Sequence, residues 1–499
     1  MQVVIRADAS RSIGSGHIMR CLVLADALSD LNYSVLFACL PQQGDMISYI
    51  EERGFAVIKL NMPNEVFNPQ SDAEYEAWLH RSSLADAEDF IQMIGRADLV
   101  ITDHYAIGKT WQKLVRKIMG CFLVSIDDLV RDHEADLIVD QTLGRKPNEY
   151  NADCLVLAGS EYAMLAPNFS LLRKFAFRRS SPSDRPKVLI SMGGIDNQNV
   201  TLRALKSLVG KINANFTVLL SPRAPHYQLV KSWCNKQSNV LHKDFEADMA
   251  GLMLKHDVAI GAPGTTSWER ACLGLPSILV PLADNQEMVC NQLILNNAIL
   301  KVCQEDIEAY LLPTYHQVIN KWDELHVSNL KLCDGLGVKK LVLEIQQLVK
   351  LDNYFSLKLV FASDDDIKTV YDWQCHPKTR EFALNADVPT WEEHQRWMQS
   401  KLVSTSDYFY LVVDKKTGEK LGVLRLDKIE PKNYLVSIFV APESYGLGVA
   451  TKALKIVDVI HPEFTFHATV LECNKASQKL FRKANYVQKS SEKFIRNPI

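Results

Sequence analysis

A glycine-rich turn followed by a histidine lies between an apolar strand and a helix near the start of the chain. The segment IRADASRSIGSGHIMRCLVLADAL covers residues 5–28, with Gly14, Gly16 and His17 at its centre. Glycine leaves backbone N–H groups open to a ligand, and the beginning of a helix attracts anions. A histidine in the first helical turn is kept neutral by the helix dipole, and a neutral imidazole can act as a general base. The segment predicts a phosphate or sugar site with His17 as candidate base; a histidine that only caps or packs the turn is the alternative.

The same glycines could belong to a dinucleotide-binding fingerprint. That fingerprint requires a third small residue where Met19 stands, and an acidic residue at the end of the second strand, where the sequence reads FACLPQ. Because both are missing, we do not expect NAD binding.

Polar side chains also follow two later strands. Asp103, His104 and Tyr105 come after one apolar run, and the pair at 127–128 follows the next. The carboxyl ends of parallel strands meet at one edge of a sheet, where ligands bind. These residues are therefore candidates for contacting a sugar or orienting the base, although helix caps and turns use the same residue types.

The elements around these motifs alternate between strand and helix from residue 1 to about 345. Short β-branched runs separated by helices are typical of parallel sheets covered on both faces. A second series of this kind begins after RKFAFRRSSPSDRPK (173–187), so we expect twin doubly wound domains with a cleft between them. After LDNYFSLKL (351–359) the alternation gives way to helices and a strand-rich meander, with a hairpin turn at 416–418. This last part predicts a third, α+β domain.

The second series carries its own anion-binding signals. In HDVAIGAPGTTSWERACLGLP, Gly264, Thr265 and Thr266 place N–H and hydroxyl donors at the beginning of a helix, which suits a diphosphate. Glu269 follows one turn later and is either a ligand contact or an ordinary first-turn glutamate. Gly193, after the strand KVLIS, offers a second loop where a ligand approaches backbone.

Composition narrows the classes of partner. The chain has 499 residues, a net charge of −3 and no run of Lys or Arg, so we expect small-molecule substrates and no nucleic acid. Its apolar runs are far shorter than the ~18 residues that span a bilayer, and no leader is recognisable, so we expect a cytoplasmic protein without a membrane partner. The 11 cysteines include no C-x-x-C pair, and without a cluster of ligands we expect no metal.

Six motifs between residues 6 and 276 resemble the UDP-sugar hydrolases of the pseudaminic acid pathway, which release 2,4-diacetamido-2,4,6-trideoxy-L-altrose from UDP. In order they are RADASRSIGSGHIMRCLVLADAL, VITDHYAI, SIDDLVRDHEADLIVDQ, LAGSEYAML, SMGGIDNQN and GAPGTTSWERACLGLP. This family is similar to inverting glycosyltransferases of the GT-B fold. The resemblance implies two Rossmann-like domains in a GT-B arrangement, hydrolysis without a metal, and His17 as the base that activates water.

The resemblance also implies binding residues. Glu269 would hold the ribose hydroxyls, and Asn285 would face the sugar. Tyr162 belongs to a motif of the form G-x-x-Y-A-L-L, but Ala166 stands where arginine is expected.

The segment VSIFVAPESYGLGVATKAL resembles motif A of the GNAT acyltransferases, and ATVLECNKASQKLFRKANY resembles their closing motif. The resemblance implies acetyl-CoA as co-substrate, with its pyrophosphate on backbone N–H groups and its thioester beside the strand that ends at Val440. The implied contacts are Val440, Tyr445, Gly446, Gly448, Val449, Ala450 and Asn474. Tyr445 replaces the usual Arg or Gln, and Phe481 stands where many relatives have a tyrosine acid. Glu393 and His394 are candidate bases that deprotonate the amine. The alternative is that they only form part of a solvated helix face.

The sequence as a whole predicts an α/β protein with two Rossmann-like domains, residues 1–170 and 171–349, followed by a GNAT domain, residues 355–499. The predicted function is bifunctional. The GNAT domain would acetylate a UDP-4-amino-4,6-dideoxy sugar, and the first two domains would hydrolyse the resulting UDP-2,4-diacetamido-2,4,6-trideoxy-β-L-altropyranose. A glycosyltransferase with a GNAT domain of different specificity and a non-catalytic UDP-sugar sensor are the alternatives.

Overall fold

The computed structural model describes residues 1–63, 74–283, 285–351 and 355–499. The chain divides into two compact units, unit 1 (Met1–Leu341) and unit 2 (Val342–Ile499). Unit 1 contains two sheets and unit 2 contains one. Within the described ranges, no helix is both long and apolar enough to cross a bilayer.

The first sheet of unit 1 has seven parallel strands in the order β3-β2-β1-β4-β5-β6-β7. Its central strands β1 and β4 are buried except for Gln2 at the start of β1, as expected where helices cover both faces. The strands are β1 (Gln2–Ala7), β2 (Ser34–Cys39), β3 (Ala56–Lys59), β4 (Leu99–Asp103), β5 (Phe122–Ile126), β6 (Leu137–Asp140) and β7 (Leu155–Ala158). The helices are α1 (Gly16–Ser29), α2 (Ile47–Glu52), α3 (Ser83–Ile94), α4 (Lys109–Met119) and α5 (Pro167–Ala176).

The second sheet repeats this topology with six parallel strands in the order β10-β9-β8-β11-β12-β13. The strands are β8 (Lys187–Ser191), β9 (Asn215–Leu219), β10 (Val240–Lys243), β11 (Val258–Gly261), β12 (Ser277–Leu279) and β13 (Ile299–Lys301). The helices are α6 (Val200–Leu208), α7 (Tyr227–Cys234), α8 (Met249–Leu254), α9 (Thr265–Cys272), α10 (Asn285–Leu295), α11 (Ile307–Asn320), α12 (Trp322–Leu332) and α13 (Gly337–Lys350). The boundary between the two units falls inside α13.

In both sheets the strand order reverses beside the first strand of the series. The loops after β1 and β4, and those after β8 and β11, therefore leave the sheet next to each other in opposite directions and open a crevice. The predicted doubly wound pattern is confirmed, with two additions. The strands β7 and β13, of four and three residues, end their sheets and were not predicted, because such short edge strands lack a period that distinguishes them from loops.

Unit 2 is built on a mixed seven-stranded sheet in the order β14-β15-β16-β17-β18-β20-β19, in which only β17 and β18 pair in parallel. The predicted hairpin is confirmed: β15 and β16 are antiparallel, and Gly418 has φ +72° in the turn between them. The strands are β14 (Leu357–Phe361), β15 (Tyr408–Asp414), β16 (Lys420–Glu430), β17 (Asn433–Val440), β18 (Thr465–Thr469), β19 (Val487–Gln488) and β20 (Lys493–Arg496). The helices are α14 (Ile367–Cys375), α15 (Pro377–Arg380), α16 (Trp391–Leu402), α17 (Val449–Ile460) and α18 (Lys475–Lys483).

A buried charge network fixes the path of the chain as it leaves β1. Arg6 is fully buried and donates to both carboxylate oxygens of Asp86 in α3 (3.2 and 2.9 Å) and to Asp8 (2.7 Å). Asp8 in turn accepts the N–H of Leu40 at the end of β2 (2.8 Å). Arg81 supplies a second cation to Asp86 at 2.9 Å. The loop that leads to the glycine-rich turn therefore starts from a rigid anchor.

Replacing Arg6 by Met should lower the free energy of unfolding by about 3–5 kcal/mol, because Asp8 loses its cation in the core and Asp86 keeps only Arg81. Arg53 offers a matched control, since its ion pair with Asp26 lies at the surface, and Arg53→Met should cost about 0–1 kcal/mol. Urea unfolding of both variants measures the difference. Equal losses would contradict the role given to the buried network.

Candidate active sites

A histidine–aspartate pair lies at the carboxyl edge of the first sheet. His17 is in the first turn of α1 and Asp103 ends β4, which is hydrogen-bonded to β1. The Nδ1–H of His17 donates to Asp103 Oδ1 at 2.6 Å. This contact fixes the neutral ring as the tautomer that carries its lone pair on Nε2. His17 Nε2 has no hydrogen-bond partner among the described residues, so it is free to take a proton.

Arg20 holds the other side of the same carboxylate. It donates from Nε to Asp103 Oδ2 (2.6 Å), from Nη2 to Oδ1 (2.7 Å), and from Nη1 to Asp128 (2.7 Å). Burial acts to raise the pKa of Asp103, but Arg20 and His17 hold that pKa well below its usual range. Asp103 is therefore ionised at neutral pH, and its carboxylate lies against the Nδ1–H of His17. Sequence analysis missed Arg20; the available signal was its position three residues after His17, on the same helix face.

Aromatic side chains enclose the histidine ring. Tyr105 meets it edge-on with 4.7 Å between ring centroids, and Trp78 stacks on Tyr105 at 5.6 Å. The Tyr105 hydroxyl donates to Asp128 at 3.0 Å, so the same carboxylate binds both Arg20 and Tyr105. Only 7% of His17 is exposed.

His104, which follows β4, and Asp127, which follows β5, are bound by other residues within the fold. His104 Nε2 lies 3.4 Å from Asp8, within the buried charge network. Asp127 accepts from Arg131 and from the Tyr150 hydroxyl. The structure thus brings Asp103, Tyr105 and Asp128 to His17, and leaves His104 and Asp127 with structural partners. In the described part of the chain, no group of three His, Cys, Asp or Glu side chains is arranged to hold a metal.

Loops of the second sheet face the glycine-rich turn across the cleft. Glycine has no Cβ, but the position that a Cβ would occupy shows what lies beside the backbone. For Gly194 this position is 3.5 Å from Ser15 Oγ, and for Gly16 it is 3.9 Å from Thr265 Oγ1. Gly14 and Gly193 have φ of +80° and +88°, and the Cβ positions of both are open. The cleft is therefore lined on both sides by backbone that a ligand can approach closely.

The beginning of α9 is suited to bind a nucleotide diphosphate. Gly264 precedes the helix, and Thr265 and Thr266 form its half-exposed first residues. One turn later, Glu269 Oε2 is buried and has no hydrogen-bond partner among the described residues. Burial raises the pKa of Glu269 to about 7, against the opposing effect of Arg270. A buried carboxylate without a partner is a place where hydroxyl donors of a ligand fit.

Tyr162 and Asn285 are the remaining predicted residues of unit 1. Tyr162 ends a 3-10 turn whose backbone meets α13: a Cβ on Gly337 would lie 2.5 Å from the Tyr162 carbonyl carbon. Asn285 begins α10, after β12, and its side chain lies outside what the structure describes.

Unit 2 contains a second candidate site, beside the point where the parallel strands β17 and β18 separate. β17 and β18 pair only from Asn433 to Leu435, so in the described residues β17 continues to Val440 without a partner on that side. Its backbone N–H groups there are available to a carbonyl group. The loop that follows contains Gly446 (φ +81°) and Gly448 (φ +75°), with open space at both Cβ positions.

Gly448 precedes α17, whose first residues are Val449 and Ala450. This combination of left-handed glycines and a helix beginning is a cradle for phosphate oxygens. The hydroxyl of Tyr445 hydrogen-bonds Thr379 Oγ1 at 2.8 Å, which fastens the cradle to α15. Asn474 caps α18 by accepting the N–H of Ser477 at 3.0 Å.

The candidate acid and base positions of unit 2 have structural contacts. Glu393 forms a capping box with Thr390 at the beginning of α16. His394 is buried rather than solvated, and its Nε2 lies 3.1 Å from the carbonyl oxygen of Ile367. Phe481 is part of the core of unit 2.

Comparison with known proteins relates both sites to families. Residues 192–332 match the Glycosyltransferase family 28 C-terminal domain, and residues 356–487 match the Acetyltransferase (GNAT) domain. The UDP-2,4-diacetamido-2,4,6-trideoxy-beta-L-altropyranose hydrolase of Campylobacter jejuni is 30% identical over 212 residues, which are 42% of this chain and 66% of that protein. The chain therefore joins a homologue of these hydrolases to a GNAT domain.

Two further relatives cover more of the chain. An uncharacterised protein of Methanocaldococcus jannaschii is 23% identical over 506 residues, which are 97% of this chain and 96% of that protein. The crystal structure of a calicheamicin glycosyltransferase has a TM-score of 0.50 at 13% identity and covers 70% of this chain and 99% of its own. The hydrolase-like unit 1 thus has the GT-B fold, and the Methanocaldococcus alignment runs through both the hydrolase-like unit and the GNAT domain.

The raised pKa of Glu269 predicts a pH dependence of UDP binding that can be measured. Ribose hydroxyls bind the ionised carboxylate better, so UDP binding should tighten as the pH rises through about 7, from pH 6 to pH 8. Glu269→Gln should weaken UDP binding about 10-fold at pH 8 and remove this part of the pH dependence, because the amide does not titrate. Calorimetric dissociation constants of both proteins provide the test. The ionisation of UDP itself is common to both, so parallel pH profiles would contradict the prediction.

Proposed function

We propose that the hydrolase-like unit cleaves UDP-2,4-diacetamido-2,4,6-trideoxy-β-L-altropyranose to the free sugar and UDP. The observation that carries the proposal is the His17–Asp103 pair, with Nε2 of His17 free at a cleft that the beginning of α9 faces. Water attacks the anomeric carbon, and its proton passes to His17 Nε2. The bond from that carbon to the β-phosphate oxygen breaks, and its electron pair leaves with UDP.

The other residues around the cleft orient the base and contact the substrate. Asp103 orients His17 and stabilises its protonated form, as the aspartate of a catalytic triad does. Gly14, Gly16 and Gly193 let the sugar nucleotide come close to backbone. Further contacts are assigned to Gly264, Thr265 and Thr266 for the diphosphate, Glu269 for the ribose, and Tyr105, Tyr162 and Asn285 for the sugar.

We propose further that the GNAT domain acetylates the 4-amine of the UDP-amino sugar that precedes this substrate, with acetyl-CoA as acyl donor. Gly446, Gly448, Val449 and Ala450 would hold the pyrophosphate of CoA through backbone N–H groups, with Tyr445 and Asn474 beside it. The free edge of β17 at Val440 would bind the thioester carbonyl, which stabilises the negative charge that develops on its oxygen. One chain would then carry two consecutive steps.

A glycosyltransferase is the second candidate, favoured by the match of residues 192–332 to a glycosyltransferase domain. The two functions differ in the nucleophile, which is water for the hydrolase and the hydroxyl group of an acceptor for the transferase. Release of UDP from the diacetamido sugar in buffer alone supports the hydrolase, whereas release that requires an added hydroxyl acceptor supports the transferase.

His17→Asn should reduce UDP release by about 10²–10⁴-fold, because the general base is lost. Asp103→Asn should reduce kcat by a similar factor, because the amide no longer fixes the tautomer of His17. Release of UDP is followed by a coupled assay, and acetylation of the amine by NMR. His17→Asn should leave acetylation unchanged; undiminished UDP release in this variant would refute the assignment of His17.

Gly448→Val provides the reciprocal variant. A β-branched residue at φ +75° strains the backbone and places a side chain in the phosphate cradle, so acetyl-CoA binding and acetylation should be lost. Hydrolysis of the preformed diacetamido substrate should continue at the wild-type rate. Acetylation that persists in Gly448→Val would contradict the cradle.

A further inference from the structure

Two arginines, one from each sheet, meet on the side of the cleft opposite α9. The strand order β10-β9-β8-β11 places the Gly193–Gly194 loop between the beginning of α9, after β11, and the loop after β9 that carries Arg223. Arg11 approaches the same place from the loop after β1. A cavity of about 320 Å³ opens there, lined by Arg11, Ser12, Ile195, Asn197, Arg223 and Pro225.

The two arginine side chains converge on one backbone position. A Cβ on Gly44 would lie 3.1 Å from Arg11 Cγ and 3.5 Å from Arg223 Nη2, and Arg223 donates to the Gly44 carbonyl oxygen. The Arg11 side chain has no hydrogen bond or ion pair with any described residue. Asp45, next to Gly44, accepts the N–H groups of Gln42 and Ile47.

The charge of this pair is therefore not neutralised by an ion pair within the described residues. Burial lowers the pKa of Arg223, and the like charge of Arg11 adds to this effect while Asp45 opposes it. Both arginines are exposed, and two cations at one cavity without a matching anion attract a ligand with negative charge.

We propose that Arg11 and Arg223 bind the β-phosphate of the nucleotide substrate and stabilise it as the leaving group. This inference rests on the proposed hydrolase function. A diphosphate lying over the open backbone of Gly193 would have the beginning of α9 on one side and the arginine pair on the other. When the bond between the anomeric carbon and the β-phosphate oxygen breaks, its electron pair stays on that oxygen, and the two guanidinium groups compensate the added charge. Because each half of the cleft supplies one arginine, the site is complete only when both halves meet.

The test compares UDP with UMP, which lacks the β-phosphate. In Arg11→Gln and in Arg223→Gln, the dissociation constant of UDP should rise about 10- to 100-fold while that of UMP stays within about twofold of wild type. The kcat for UDP release should fall in both variants, and Arg223→Lys should retain part of it because a charge remains. Arg203→Gln is the matched control, since Arg203 pairs with Glu308 at the surface and does not line the cavity.

The possible outcomes separate this inference from the proposed function. Unchanged UDP affinity and kcat in Arg11→Gln and Arg223→Gln would overturn the arginine site, while UDP release by the wild-type protein would still support the hydrolase. Equal losses for UDP and UMP would also overturn it, because the contact would not be with the β-phosphate. Wild-type protein that binds UDP but releases none from the sugar would refute the hydrolase instead. Should Arg223→Gln fail to fold, Arg11→Gln decides, because its side chain has no described partner to lose.

Discussion

The chemistry of the hydrolase-like unit depends on one buried carboxylate. Asp103 has no exposed surface, yet it remains ionised because Arg20 and His17 bind both of its oxygens. A buried charge is tolerated only when its partners are close and well oriented, so the three side chains fix one another. On the far side of the ring, His17 Nε2 carries a lone pair whose direction this contact fixes.

This arrangement requires that β1 and β4 be neighbours. The glycine-rich turn leaves β1, Asp103 ends β4, and the reversal of strand order between the two strands keeps helices from covering the space above them. The second sheet repeats the reversal at β8 and β11, where it presents open glycine backbone and the beginning of α9 instead of a base. Two copies of one topology thus bring different groups to the cleft: the His17–Asp103 pair from one sheet, and open backbone with the beginning of a helix from the other.

The sequence predicts the fold of unit 1 well because the inner strands of both sheets are buried on both faces and read as short apolar runs. It predicts the site less completely. The rule that functional side chains follow the ends of strands selects Asp103 and Tyr105, which contact His17, but it selects His104 equally, although this side chain turns into the core to meet Asp8. Successive side chains point in opposite directions, and the sequence does not say which of them faces the cleft. Arg20 escapes prediction because a basic residue inside a helix reads as surface until its buried acidic partner, distant in sequence, is known.

The GNAT domain shows why a departure from a motif need not abolish a site. Where relatives carry Arg or Gln, Tyr445 offers a pyrophosphate neither the charge of arginine nor the N–H donors of either side chain. Its hydroxyl instead ties the loop to Thr379, and the N–H groups that follow belong to backbone whose direction is set by Gly446 and Gly448. A loop already held in its binding conformation loses less entropy when a ligand binds, which offsets part of a missing charge–charge contact. The glycines are therefore the residues on which this cradle depends, because no side chain at either position reproduces their backbone angles without strain.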